Sequence, residues 1–144
     1  KLLKTLREDS RISKRVELLQ SISGVGEVMA LTWVLEIGDP ERFSNSRQAI
    51  SYCGLCSAQH ESAGKDHRGP ISKKRNKYLQ TMLIEAANIA PQWNPQLAML
   101  KEKELARGNR NRATLAVARK LVIYMLAVDR RGKPFMTEKE SLVA

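Results

Sequence analysis

The sequence predicts an all-α fold: a compact helical domain of about five helices, with a helix-hairpin-helix-like N-terminal part and a long central functional loop. Three observations carry that expectation. Apolar residues recur at helical spacing through most of the chain. Aromatics make up only 5% of the 144 residues, so the core rests on Leu, Ile, Val, Ala and Met, a mixture that suits helices better than stacked sheets. Glycine, proline and asparagine fall where helices would start and stop.

Leu2, Leu3, Leu6, Ile12, Val16 and Leu19 form an apolar stripe, which predicts a helix over residues 1–21. The chain begins at Lys1 inside a charged helical pattern, so this helix reads as leading in from an upstream domain absent from the chain. After Ile22-Ser23-Gly24-Val25-Gly26 comes a helix from Glu27 to about Ile37, apolar on most sides and therefore buried. Gly38-Asp39-Pro40 ends it. A short helix over 46–52 follows, with Ser44 or Asn45 as N-cap.

Residues 53–73 lack periodicity, and a loop of that length in a compact domain is usually functional or disordered. Helical spacing returns from about Lys74 to Ala90, with Leu79, Met82, Leu83, Ala86 and Ala87 inward. Asn94-Pro95 opens the next helix as N-cap and N1 proline, and Gly108 closes it. A last helix runs from about Asn111 to Asp129 with Leu115, Ala118, Val122, Met125 and Leu126 inward. The organisation expected is a leading helix over 1–21, a helical domain over 22–129 and a polar tail over 130–144.

Net charge is +10, with a sequence pI near 10.0. Self-repulsion in so basic a domain is relieved by a polyanion, which points to nucleic acid. A spanning helix needs roughly 20 apolar residues and no run approaches that, so a membrane partner is not expected. No signal-peptide pattern is visible, and two cysteines make no secreted disulfide framework. The expectation is a cytoplasmic, nucleic-acid-associated protein.

The Gly24-Val25-Gly26 turn supports two readings. Its glycines permit positive φ, and the free amides at the next helix's start suit a phosphate. A glycine turn also serves simply to pack two helices closely. Cys53, Cys56, His60 and His67 are zinc-ligand types, but their spacing matches neither a finger nor a knuckle. Ordinary thiols and solvent-facing histidines are the expectation, and no metal ligand is assigned. Glu27, Glu36, Asp39 and Glu41 form no recognisable acid–base or two-metal set.

The most informative stretch is Gly54–Asn76. Ser62 precedes the small pair Ala63-Gly64, and six cations follow: Lys65, Arg68, Lys73, Lys74, Arg75 and Lys77. A serine beside dense positive charge suits attack on a phosphodiester, and it equally suits a turn or cap serine. A second basic cluster, Arg107, Arg110, Arg112, Arg119 and Lys120, flanks the last helix's start. It reads as a phosphate-binding surface or as a solvated face. The low aromatic count argues against a base-stacking single-strand binder.

Taken together, Tyr52-x-Gly54-Leu55, Ser62-Ala63-Gly64-Lys65, Arg68-Gly69-x-Ile71-Ser72-Lys73 and Asn76-x-x-Leu79 resemble one signature. It is that of the IS110/IS116/IS902-type insertion-sequence transposases, the family of the Piv invertases and the bridge-RNA-guided recombinases. The Gly-Val-Gly hairpin, Glu36-Ile-Gly-Asp39 and Phe43 also fit what precedes that signature, and the likeness covers residues 16–128. The resemblance implies a two-domain enzyme. A missing N-terminal RuvC-like domain would hold Mg²⁺, and this C-terminal domain would supply Ser62 as the nucleophile that links to DNA. It further implies DNA as partner, a guide RNA in some members, and a homo-oligomer in the full-length protein. Alone, the fragment is expected to bind DNA without cleaving it. Proximity adds Lys65 and Arg68 as cations beside the transferring phosphoryl group.

Three positions depart from the family pattern: Ser57 replaces a proline, while Ala63 and Arg75 replace glycines. Ser57 and Ser72 are further hydroxyls in the loop, and position favours Ser62. The alternative function is a non-catalytic helix-hairpin-helix DNA- or RNA-binding module. Phosphate-contact candidates are Gly24, Gly26, Lys65, Arg68, Lys73, Lys74, Arg75 and Lys77.

Overall fold

The computed structural model describes residues 10–56 and 76–135. Among these it is all-α, with six α-helices, two short 3₁₀ turns and no strand. The helices are α1 (Ser10–Leu19), α2 (Glu27–Ile37), α3 (Ser46–Tyr52), α4 (Lys77–Ile89), α5 (Pro95–Leu105) and α6 (Arg110–Arg131). No described helix is long and apolar enough to cross a membrane.

The helix ends follow the local chemistry. Asn45, Asn76, Asn94 and Asn109 each sit in extended backbone and accept a backbone N–H of the first turn. Each such cap satisfies an otherwise orphaned donor. Asn76 shortens α4 relative to the expected start near Lys74, because a capping residue cannot also be helical. Arg110 and Arg112 belong to the first turn of α6, which Gly132 closes in the left-handed region.

Helix α6 is the axis of the domain. Val117, Ala118, Leu121, Val122, Met125, Leu126 and Val128 are buried along it. Helix α2 lies against the same core with Met29, Ala30, Leu31, Trp33, Val34 and Ile37 buried, the almost continuous burial its composition predicts. Leu79, Leu83 and Ala87 of α4 are buried, while Met82 and Ala86 pack at its margin.

One polar lock ties the two ends of the described chain. Arg15 donates through Nε and Nη2 to the two carboxylate oxygens of Asp129 at 2.8 and 2.7 Å. The indole of Trp33 donates to the same carboxylate at 3.0 Å. A buried charge is costly unless paired, and here the α6 carboxylate is neutralised by Arg15 of α1 and hydrogen-bonded by Trp33 of α2.

Candidate functional site: the mouth of the central loop

The elements around the central loop are held by their own sequence chemistry. Tyr52 ends α3, Cys53 and Leu55 turn inward and are fully buried, and Gly54 takes φ +71° between them. A positive φ there lets both neighbours point into the core, which a side chain would resist. On the other flank Asn76 caps α4, so the chain re-enters at a defined point.

The two flanks are joined directly. The Asn76 N–H donates to the Tyr52 carbonyl at 2.7 Å. The Asn76 side-chain amide donates to the Glu36 carboxylate, while its Oδ1 accepts the Leu79 N–H at 2.9 Å. The Tyr52 hydroxyl reaches the Glu36 carbonyl at 3.4 Å. Gln80 Nε2 donates to the Gly54 carbonyl and Arg119 Nε to the Leu55 carbonyl, both at 2.8 Å. The Tyr52, Gly54 and Leu55 carbonyls of this short exit thus each gain a partner.

Aromatic packing supports the same corner. The Tyr52 ring lies tilted against Phe43 at 5.6 Å between centroids, and the Arg42 guanidinium stands 4.6 Å from the Tyr52 centroid. Two stretches of the signature, Tyr52 to Leu55 and Asn76 to Leu79, therefore meet here with the preceding Glu36 to Phe43. They form one clamp.

Ser62, Lys65, Arg68, Lys73, Lys74 and Arg75 lie outside the described residues, on the segment that this clamp bounds. So do Ser57, Ala63, Ser72, His60 and His67. Lys77 is described and exposed on the first turn of α4, beside the clamp.

Gly24 and Gly26 stand elsewhere. Gly24 has φ +98°, and a Cβ there would lie 2.6 Å from the Ala90 Cβ. The Asn94 side chain donates to the Ser23 carbonyl at 3.1 Å, fastening the turn to the start of α5. Close packing accounts for Gly24. Gly26 has open space where a Cβ would be and leaves α2 without a side-chain cap. Asn76 and Ala90 bracket α4, so the hairpin and the clamp are separated by about 20 Å of helix. Among the described residues, the two glycines stand apart from the clamp.

The second basic cluster also divides. Arg119 faces the clamp, whereas Lys120 stands 5.7 Å from the Tyr124 centroid in a groove with Met99 and Phe135. Arg107 lies 3.8 Å from Glu104. Sequence reading missed the Glu36–Asn76 contact and the singular position of Arg119. The place of Glu36 in the Glu36-Ile-Gly-Asp39 motif was the available signal.

Among the described residues no group of three or more His, Cys, Asp or Glu could hold a metal ion. Cys53 and Cys56 are free thiols. Burial pushes the Cys53 thiol up to about 12, so it stays neutral at ordinary pH and makes a poor metal ligand or nucleophile.

The comparisons with known proteins bear on this geometry. The profile described as "Transposase IS116/IS110/IS902 family" matches residues 16–102. The chain is 33% identical over 120 residues to the transposase for insertion sequence element IS1111A of Coxiella burnetii, covering 80% of this chain and 33% of that protein. A probable family 20 transposase of Pseudomonas aeruginosa is 31% identical over 87 residues, covering 60% of this chain and 26% of the relative. The pilin gene-inverting protein of Moraxella bovis is 27% identical over 127 residues, 86% of this chain and 39% of the relative. The chain therefore spans well under half the length of these relatives. No solved structure matches it significantly.

Proposed function

The chain belongs to the IS116/IS110/IS902 transposase family, and we propose that it is the serine-bearing domain of a transposase that cuts and rejoins DNA. The observation that supports this most is the clamp. The described signature residues Tyr52 and Asn76, with Glu36 from the motif that precedes them, converge on the two flanks of the segment that carries Ser62. A merely solvated loop has no need of so closely held a base.

In this reading the Ser62 hydroxyl attacks a DNA phosphorus. The Ser62 oxygen–phosphorus bond forms as one phosphorus–oxygen bond of the strand breaks. The departing sugar oxygen takes up a proton and the serine gives one up. One phosphodiester replaces another, so a sugar hydroxyl from a second strand reverses the step without an external energy source. Lys65 and Arg68 offset charge on the transferring group, while Lys73, Lys74, Arg75 and Lys77 draw in the strand.

Mg²⁺ would lower the barrier by neutralising phosphoryl charge. As the family resemblance implies, we assign its site to an upstream RuvC-like domain. Strand exchange joins two DNA partners, which places the domain in a homo-oligomer. Family members that use a guide RNA take their specificity from it, and DNA as substrate implies a bacterial cytoplasmic setting.

The test is covalent trapping of labelled DNA by the full-length protein with Mg²⁺. The reading expects an adduct that Ser62→Ala abolishes. DNA binding with no adduct in either protein would favour a non-catalytic helix-hairpin-helix module, acting through the uncapped start of α2 at Gly26.

A further inference from the structure

Several described arginines are already engaged. Arg15, Arg107 and Arg130 face Asp129, Glu104 and Glu41. Arg42 is spent on the Ile37 carbonyl and two aromatic rings. Arg47 and Arg119, in contrast, pair with no carboxylate among the described residues. Both line one open cleft of about 580 Å³ between α3 and α6.

The rest of that lining is equally specific. Ser46 and Ser51 offer hydroxyls, Ile50 adds an apolar side chain, and Cys56 completes the lining with Gln48. Among the described residues the lining holds no carboxylate, which would repel an anion, and no aromatic ring, which would stack a base. Arg119 is not free to wander. Its Nε is fixed on the Leu55 carbonyl at 2.8 Å, so the donors on its two terminal nitrogens are held in place. A guanidinium carries five N–H donors, and one is used here. A fixed guanidinium sharing a cleft with a second, exposed one suits a phosphodiester oxygen pair.

We propose that the Arg47–Arg119 cleft is a subsite for a backbone phosphate of the DNA strand that Ser62 attacks. The inference rests on the transposase reading above and adds where the strand lies. Cys56 lines the cleft and Ser62 is six residues further on, no more than about 20 Å at full extension. At about 3.4 Å of duplex axis per phosphate of one strand, the seated phosphate lies within about six nucleotides of the attacked one. Anchoring a neighbouring phosphate converts the attack from a chance encounter into a positioned one.

Cys56 reports occupancy without any engineered probe, and buried Cys53 serves as the unreactive internal reference. The alkylation rate of Cys56 is measured on the chain with and without a mixed-sequence DNA duplex, alongside duplex affinity across a salt series. The wild type should bind the duplex, and bound duplex should slow Cys56 alkylation severalfold. Arg47→Ala, an exposed position, should weaken binding severalfold, flatten the salt slope by about one and remove the protection; Arg47→Lys should restore part of each.

Duplex binding with Cys56 unprotected, and the same slope in Arg47→Ala, would overturn the subsite and leave the transposase reading standing. Protection by an RNA duplex but not by DNA would overturn it in favour of a guide-RNA contact. Failure to bind DNA at all would overturn both.

Discussion

The backbone N–H of Asn76 donates to the carbonyl of Tyr52 at 2.7 Å, so two residues 24 apart in sequence close the base of the central segment. The same Asn76 side chain reaches Glu36 and caps α4. One residue thus sets the exit of α3, the start of α4 and the end of α2. This contact fixes where the central segment leaves and re-enters the described fold.

Asn76→Ala should therefore cost more than an ordinary cap. Losing the cap costs about 1 kcal/mol, and stranding the partly buried Glu36 carboxylate adds about 1 kcal/mol more. Urea unfolding checks this. Strand transfer by the full-length variant should fall by more than its folded fraction does, because the loop base is loosened even in folded molecules.

Gly24→Ala and Gly26→Ala should part company. The first forces a Cβ into Ala90 at a backbone angle of φ +98°, and strain plus overpacking cost about 2–4 kcal/mol. The second meets open space at an ordinary φ of −90° and should change stability by no more than about 0.5 kcal/mol. Thermal unfolding of the two variants reads the difference. Gly26→Ala is then the clean variant for asking whether the hairpin touches DNA.

Asp129→Ala should be among the most damaging polar substitutions, at about 3–5 kcal/mol. It strands both the Arg15 guanidinium and the buried Trp33 indole. Asp129→Asn keeps an acceptor and should lose less. Paired unfolding curves, combined with Arg15→Met in a double-mutant cycle, separate the ion pair from the indole bond.

Cys53 predicts a pH dependence with a definite sign. Its thiol is raised by burial from 9.0 to about 12. Below 9.0 both folded and unfolded chains hold the proton, and its stabilising contribution is fully present. Between 9.0 and about 12 only the folded chain holds it, so the contribution falls as pH rises, by at most about 1.4 kcal/mol per pH unit. Wild type and Cys53→Ala should therefore converge in stability above pH 9. Native Cys53 should resist alkylation at pH values where Cys56 reacts.

Most of the helical framework was legible because it is written in local chemistry. Asn-Pro at 94–95, Gly-Asp-Pro at 38–40 and the apolar spacing of 113–128 each mark an element without reference to the fold. Long-range contacts were not legible. Nothing local tells that Glu36 will meet Asn76, that Gly24 will touch Ala90, or that adjacent Arg119 and Lys120 will face different grooves. The basic cluster around α6 looked like one surface in sequence, and helical rotation between neighbouring residues splits it. The motifs were visible as separate strings, and the fold brings the described ones, at Glu36, Tyr52 and Asn76, to one clamp.

The account stands or falls on Ser62. The decisive measurement is mass analysis of the DNA–protein adduct formed by the full-length protein with Mg²⁺ and labelled element-end DNA. The account predicts a nucleotide mass attached at Ser62, and none in Ser62→Ala. An adduct on another residue, or one that persists undiminished in Ser62→Ala, would contradict it.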